Sequence, residues 1–285
     1  MSATIARAWP FSARAPRRAL PGLSITLGFT LTYLSLVVLV PLAALLLRAA
    51  GLGFAGWWEV LTSSRVLHAL ELSFGGALVA AAINAVFGTL IAWTFVRYDF
   101  PGRRLLQAMV DLPFALPTAV AGIALTALYA PNGWLGAPLA EFGVKVAYTP
   151  IGVILAMTFI SLPFVVRTIE PVLGEAERQY EEAAATLGAT RWQTIARIIF
   201  PALVPALLTG SALAFARAVG EYGSIIFIAG NLPGVSEIAP LLIMIRLEEF
   251  DYTGATTIAS AMLLISFAML FAINLLQAWS RRRGG

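Results

Sequence analysis

Six long apolar runs, separated by short polar connections, set the pattern of this chain. A helix needs about 20 mostly apolar residues to cross the hydrocarbon of a bilayer. Ile25–Leu47 carries no charge and reads as the first span; Leu72–Val96 is the second, with Asn84 its most polar member. Leu105–Tyr129 is the third, interrupted by Asp111, Pro113 and Pro117, and two prolines there predict a kink. Val146–Val166 forms the fourth, Ile198–Ile228 the fifth with Arg217 and Glu221 inside it, and Tyr252–Trp279 the sixth. The pattern predicts an all-α, polytopic membrane protein with six transmembrane helices. Residues 25–279 form its transmembrane domain, flanked by tails at 1–24 and 280–285.

The longest hydrophilic segment, residues 175–197, lies between the fourth and fifth runs. Glu175, Glu177, Glu181 and Glu182 among alanines favour a helix up to Leu187, and Gly188 follows where a helix can end in a left-handed residue. Thr190 and Gln193 fit the Ser/Thr-x-x-Glu/Gln box that starts a new helix. Pro201 and Pro205 then predict a bend where the chain enters the fifth span. So many carboxylates cannot cross a membrane, so the first helix is expected along its surface, facing a soluble partner. The other connections, at 48–71, 130–145 and 229–251, are too short for independent domains. Pro131-Asn132-Gly133 marks a turn, and Trp57, Trp58 and Trp134 suit the membrane–water interface.

Basic residues orient the chain, because Lys and Arg are enriched in cytoplasmic loops. With the N-terminus inside, Arg7, Arg14, Arg17, Arg18, Arg97, Arg103, Arg104, Arg167, Arg178, Arg191, Arg197, Arg281, Arg282 and Arg283 fall in the cytoplasm. Arg48, Arg65, Lys145 and Arg246 fall outside, a ratio of 14 to 4 with Arg217 left in a span. Both termini are therefore expected in the cytoplasm, and the net charge of +4 reflects topology rather than nucleic-acid binding. The first 24 residues resemble the start of a signal peptide, but the apolar run after them exceeds the usual 7–15 residues, and cleavage is not expected.

Composition narrows the chemistry. Of the 285 residues 59% are hydrophobic and 12% charged, where a soluble domain carries about 25% charged. The absence of cysteine excludes disulfides and thiolate chemistry, and one histidine, His68, cannot build a metal cluster. The one lysine, Lys145, lies in Gly-Val-Lys-Val-Ala, so no GxxxxGK[ST] phosphate loop exists and any ATP hydrolysis must reside on another chain. No catalytic constellation and no bound cofactor are expected. Ionisable groups inside a span are costly and mark functional positions. Arg217 and Glu221, one helical turn apart and flanked by Gly220 and Gly223, read either as an ion pair fixing helix packing or as part of a gate or anion path. Asp111, beside Pro113 and Pro117, is a candidate for the same path.

The polar segment carries a specific resemblance. Glu182-Ala183-Ala184, three residues, Gly188, nine residues, Ile198, one residue, then Phe200-Pro201 resembles the EAA-x3-G-x9-I-x-LP loop of ABC importer permeases, with phenylalanine where leucine is usual. That resemblance implies a loop docked in a cleft of an ATPase subunit. Ala183 and Ala184 would let the partner surface approach, Gly188 would make the turn and Glu182 a polar contact. The run from Asp111 to Gly122, Pro163 to Thr168, Tyr180 to Gln193, Gly220 to Asn231 and Arg246 to Tyr252 resembles the sulfate/thiosulfate permeases, closest to their T-type subunit (CysT family).

The resemblance implies a MetI-like permease in the inner membrane of a bacterium, paired with a second permease subunit. Two ATPase subunits carrying ATP and Mg would dock on the cytoplasmic side, and a periplasmic sulfate/thiosulfate-binding protein would deliver the anion. Molybdate or tungstate is the alternative substrate, since those permeases share the glycine-glutamate-aromatic-glycine element. A secondary transporter without an ATPase is the alternative class, and a membrane-embedded enzyme is disfavoured by the missing His and Cys clusters.

Overall fold

The computed structural model describes residues 23–175 and 178–283. The expected tail as far as residue 22, Glu177 of the polar segment and the final two residues lie outside the described residues. All regular structure among the described residues is helical. The chain divides into two units, 1–47 and 48–285. From Leu23, α1 (Leu23–Leu34) passes through a π-helical turn, Ser35–Leu39, into α2 (Val40–Ala50), so that Ile25–Ala50 forms one apolar helix of 26 residues.

The second unit contains α3 (Gly53–Thr62), α4 (Ser64–Arg97), α5 (Arg103–Ala115), α6 (Thr118–Tyr129), α7 (Gly136–Glu141) and α8 (Pro150–Glu175). It continues with α9 (Arg178–Thr186), α10 (Arg191–Thr194), a second π turn at Ile195–Ile199, and α11 (Phe200–Val219). Last come α12 (Ile225–Ala229), α13 (Ala239–Glu248) and α14 (Tyr252–Arg283). By length and composition five helices can cross a membrane, or six if the bent α5–α6 pair counts as one span.

Four predicted spans are redrawn. The second, expected from Leu72, begins at Ser64, inside the segment read as a connection. The third is two helices meeting at 115°. The break falls at Leu116, whose extended backbone (ψ 136°) is the conformation favoured before a proline, here Pro117. Pro113 stays inside α5. The fourth begins at Pro150 and runs on to Gly174, which puts Arg167 on the helix rather than in a loop. The fifth ends at Val219 instead of Ile228, because Gly220 closes the helix and the chain turns before α12 resumes the apolar run. The bend predicted at Pro201 and Pro205 takes another form: Arg191–Val219 is a single 29-residue helix that widens into the π turn before Pro201. Pro41 likewise follows the π turn of the first unit. A proline ring clashes with the carbonyl four residues back and offers no N–H, and a wide turn at that point relieves the clash.

The core of the second unit is built on α8, against which α4 and α11 pack. Ala77, Ala80, Ala81 and Ala92 of α4, Val153, Ala156, Met157, Val165, Val166 and Ile169 of α8, and Ala214 and Ala218 of α11 are buried together. Close approach centres on Val165: a β-carbon at Gly88 would stand 2.9 Å from its Cγ1, and one at Gly210 would stand 3.1 Å from its Cα. Small residues at such points let membrane helices pack backbone to backbone. Asn84, fully buried, donates to the Thr158 carbonyl at 2.9 Å and to Ser161 Oγ at 2.8 Å, fastening α4 to α8 by a polar contact.

Candidate functional site

The polar segment folds as helix, glycine turn, helix. Of the helix expected over 175–187, the described residues show the last turn of α8 up to Glu175 and α9 from Arg178. Its end is a Schellman turn: the Ala189 N–H donates to the Ala184 carbonyl and the Gly188 N–H to the Ala185 carbonyl, both at 3.0 Å. Gly188 has φ +80°, and no atom lies within 4 Å of a β-carbon built there. The next helix opens with a reciprocal box. The Gln193 N–H donates to Thr190 Oγ1 at 3.3 Å, and the Thr190 N–H donates to Gln193 Oε1 at 2.8 Å. From there α10, the π turn and α11 run continuously into the membrane-spanning region.

Burial distributes the loop residues differently from the resemblance. Glu182, Ala183 and Gly188 are exposed, as a docking surface needs, whereas Ala184 is 5% exposed and packs inside the chain. Its methyl group helps seat α9 and is not available to a partner. Ile198 lies in the π turn and Pro201 in the first turn of α11, both exposed. Glu181 forms an ion pair with Arg97 at the end of α4, and the Arg97 guanidinium also lies 5.3 Å from the centre of the Trp93 ring. Beside them opens a cavity of about 710 Å³, lined by residues that include Leu90, Trp93, Tyr98, Ala185, Arg191 and Phe200.

Arg217 and Glu221 do meet, but not within one helix. Arg217 is in the last turn of α11, and Glu221 lies in the turn after it, 2% exposed. Arg217 Nη1 donates to Glu221 Oε2 at 2.6 Å, while the Ser224 N–H and Oγ–H both donate to Glu221 Oε1 at 2.8 Å. The carboxylate thus ties the end of α11 to the start of α12. The backbone of Ser224 is pressed against Gly122 of α6. Asp111 stands apart from this turn: it accepts two hydrogen bonds from Arg167 of α8, one of them from Nε at 2.9 Å, and Arg167 also donates to Glu170 at 2.8 Å. The three candidates therefore form two separate ion-pair groups.

One clamp escaped the sequence reading. Arg65, at the opposite end of α4 from Arg97, grips Glu237 with two hydrogen bonds of 2.8 and 2.7 Å. The Glu237 side chain is fully buried. The partners lie 172 positions apart, and no local pattern signals such a pair.

Residues 84–284 match the family model described as "Binding-protein-dependent transport system inner membrane component". The chain belongs to this family. It is accordingly a multi-pass membrane component of a transport system, and its helix-turn-helix segment and Glu221 turn both fall within the matched residues. It is 51% identical over 267 residues to the "Sulfate transport system permease protein CysT" of Escherichia coli (strain K12), covering 94% of this chain and 96% of that one. A protein of the same name from Synechococcus elongatus is 52% identical over 263 residues, 92% of this chain and 95% of the relative. The crystal structure of a bacterial ABC transporter involved in the import of alginate contains a chain that superposes with a TM-score of 0.72. It is 18% identical, with 91% of this chain and 95% of that chain covered, a likeness of fold alone.

Proposed function

We propose that this chain is the membrane-spanning permease subunit of an ATP-driven sulfate importer. The observation that carries the reading is the 51% identity with the Escherichia coli sulfate permease over 94% of the chain. In this reading both termini lie in the cytoplasm of a bacterium, and the loop from α9 to α10 faces the cytoplasm. ATPase subunits that bind ATP and Mg dock there, a second permease subunit completes the path, and a periplasmic binding protein delivers sulfate or thiosulfate. The exposed Glu182 and Ala183 and the unobstructed Gly188 give the loop a surface a partner can cover. The α10–α11 helix joins that surface to the spans, so a displacement of the loop is carried into the membrane region. The buried Glu221 turn is a packing element in this mechanism, with its carboxylate saturated by Arg217 and Ser224.

The test is labelled-sulfate accumulation in cells lacking sulfate uptake, supplied with this chain, its ATPase, its sibling permease and its binding protein. Gly188→Asp puts a side chain at φ +80°, a backbone region that L side chains rarely adopt, and adds a carboxylate to the docking surface. Wild-type uptake and its loss in this variant, at equal membrane levels, is the expected result. Normal uptake in the variant would remove the loop from the mechanism. A fully assembled wild-type complex that accumulates molybdate but not sulfate would overturn the substrate.

A further inference from the structure

We infer that Arg97 is a positioning residue for energy coupling: through Glu181 it yokes the docking helix α9 to span α4, so that α4 and α11 are driven together. The inference rests on the proposed role of the loop. The Arg97–Glu181 ion pair joins the side chains of α9 directly to the spanning helix α4. The other connections are covalent, backward along the chain to α8 and forward through the Gly188 turn and α10 into α11. A loop held only by those connections would pass a push to α8 and α11 and not directly to α4. A further hold at Glu181 makes the push reach the end of α4 as well.

The geometry of Arg97 suits a strut rather than a chance surface pair. Its side chain is 14% exposed and its Nε is buried without a hydrogen-bond partner. The guanidinium lies against Trp93 of the same helix, which restricts its directions. The pair spans 84 positions of sequence, unlike the i,i+4 pair of Arg103 with Asp99 nearby. From α4 the displacement enters the core directly, because Ala92 and Phe95, on the last turns before Arg97, are buried in the cluster shared with α8 and α11.

The experiment uses the whole transporter in proteoliposomes and measures sulfate taken up per ATP hydrolysed. Arg97→Gln should lower that ratio roughly 3- to 10-fold, the scale of substitutions on a coupling route, while hydrolysis by the ATPase subunits continues. The reversal Arg97→Glu with Glu181→Arg should regain more than half of the wild-type ratio, and Arg97→Lys should retain most of it. A purely structural role would alter the amount of assembled complex and leave its ratio unchanged, and that result overturns the inference. If Arg97→Gln does not assemble, Glu181→Gln is measured instead; an unchanged ratio there also overturns it. Gly188→Asp in parallel separates the two ideas: uncoupling by it alone would keep the loop and discard the strut.

Discussion

Glu221 is nearly sealed from solvent, and its two carboxylate oxygens take three hydrogen bonds from Arg217 and Ser224. Removing one partner of a buried ion pair leaves a charge without compensation, which is far costlier than replacing both. Arg217→Ala should therefore destabilise the turn by on the order of 2–3 kcal/mol, below the fully buried range because Arg217 is 31% exposed. The check is the yield and thermal inactivation of the purified complex: assembly should fall before any change in transport can be read. A well-assembled variant with weakened uptake would instead place Arg217 on the anion's route. The pairing was foreseeable from the four-residue spacing. The position of Glu221 beyond the helix was not, because Ile225–Ala229 continues the apolar run and conceals the turn.

Among the elements, α8 is the one against which α4 and α11 are set, and Val165 is the residue that glycines of both neighbours, Gly88 and Gly210, face at close range. Gly88→Leu drives a branched side chain into Val165 and Val166. It should lower stability by about 1–3 kcal/mol, the usual cost of overpacking, seen as an earlier loss of assembled complex on heating. Leu78→Ala, on an exposed face of the same helix, should have little effect in that assay. Hydropathy made these helices legible, since each requires an unbroken apolar run. The angle within the third span was only half legible. Pro113 and Pro117 announced a disturbance, yet Pro113 sits within a helix while Leu116 and Pro117 break one, and which proline breaks depends on what packs around it. The inward methyl of Ala184 belongs to the same class: in sequence it is indistinguishable from Ala183.

At the scale of the molecule, the absence of cysteine makes orientation directly measurable. Single cysteines replacing Asp99, between α4 and α5, and Asn132, between α6 and α7, occupy exposed positions in the two kinds of connection. A membrane-impermeant maleimide should label the Asn132→Cys variant in intact cells and the Asp99→Cys variant only after permeabilisation. The reverse pattern would invert the proposed topology. The basic residues supply the expectation that this labelling tests, while long-range clamps such as Arg65 with Glu237 left no trace that a local reading could find. The glycine turn differs from both, because the Ala184, Ala185, Thr190 and Gln193 bonds that close it all begin and end within the same short segment. Its form is therefore self-contained. In the coupling role proposed for it, it can keep one shape while the span beneath it changes tilt, and its exposed residues can diverge to suit a different motor without redesign of the membrane body.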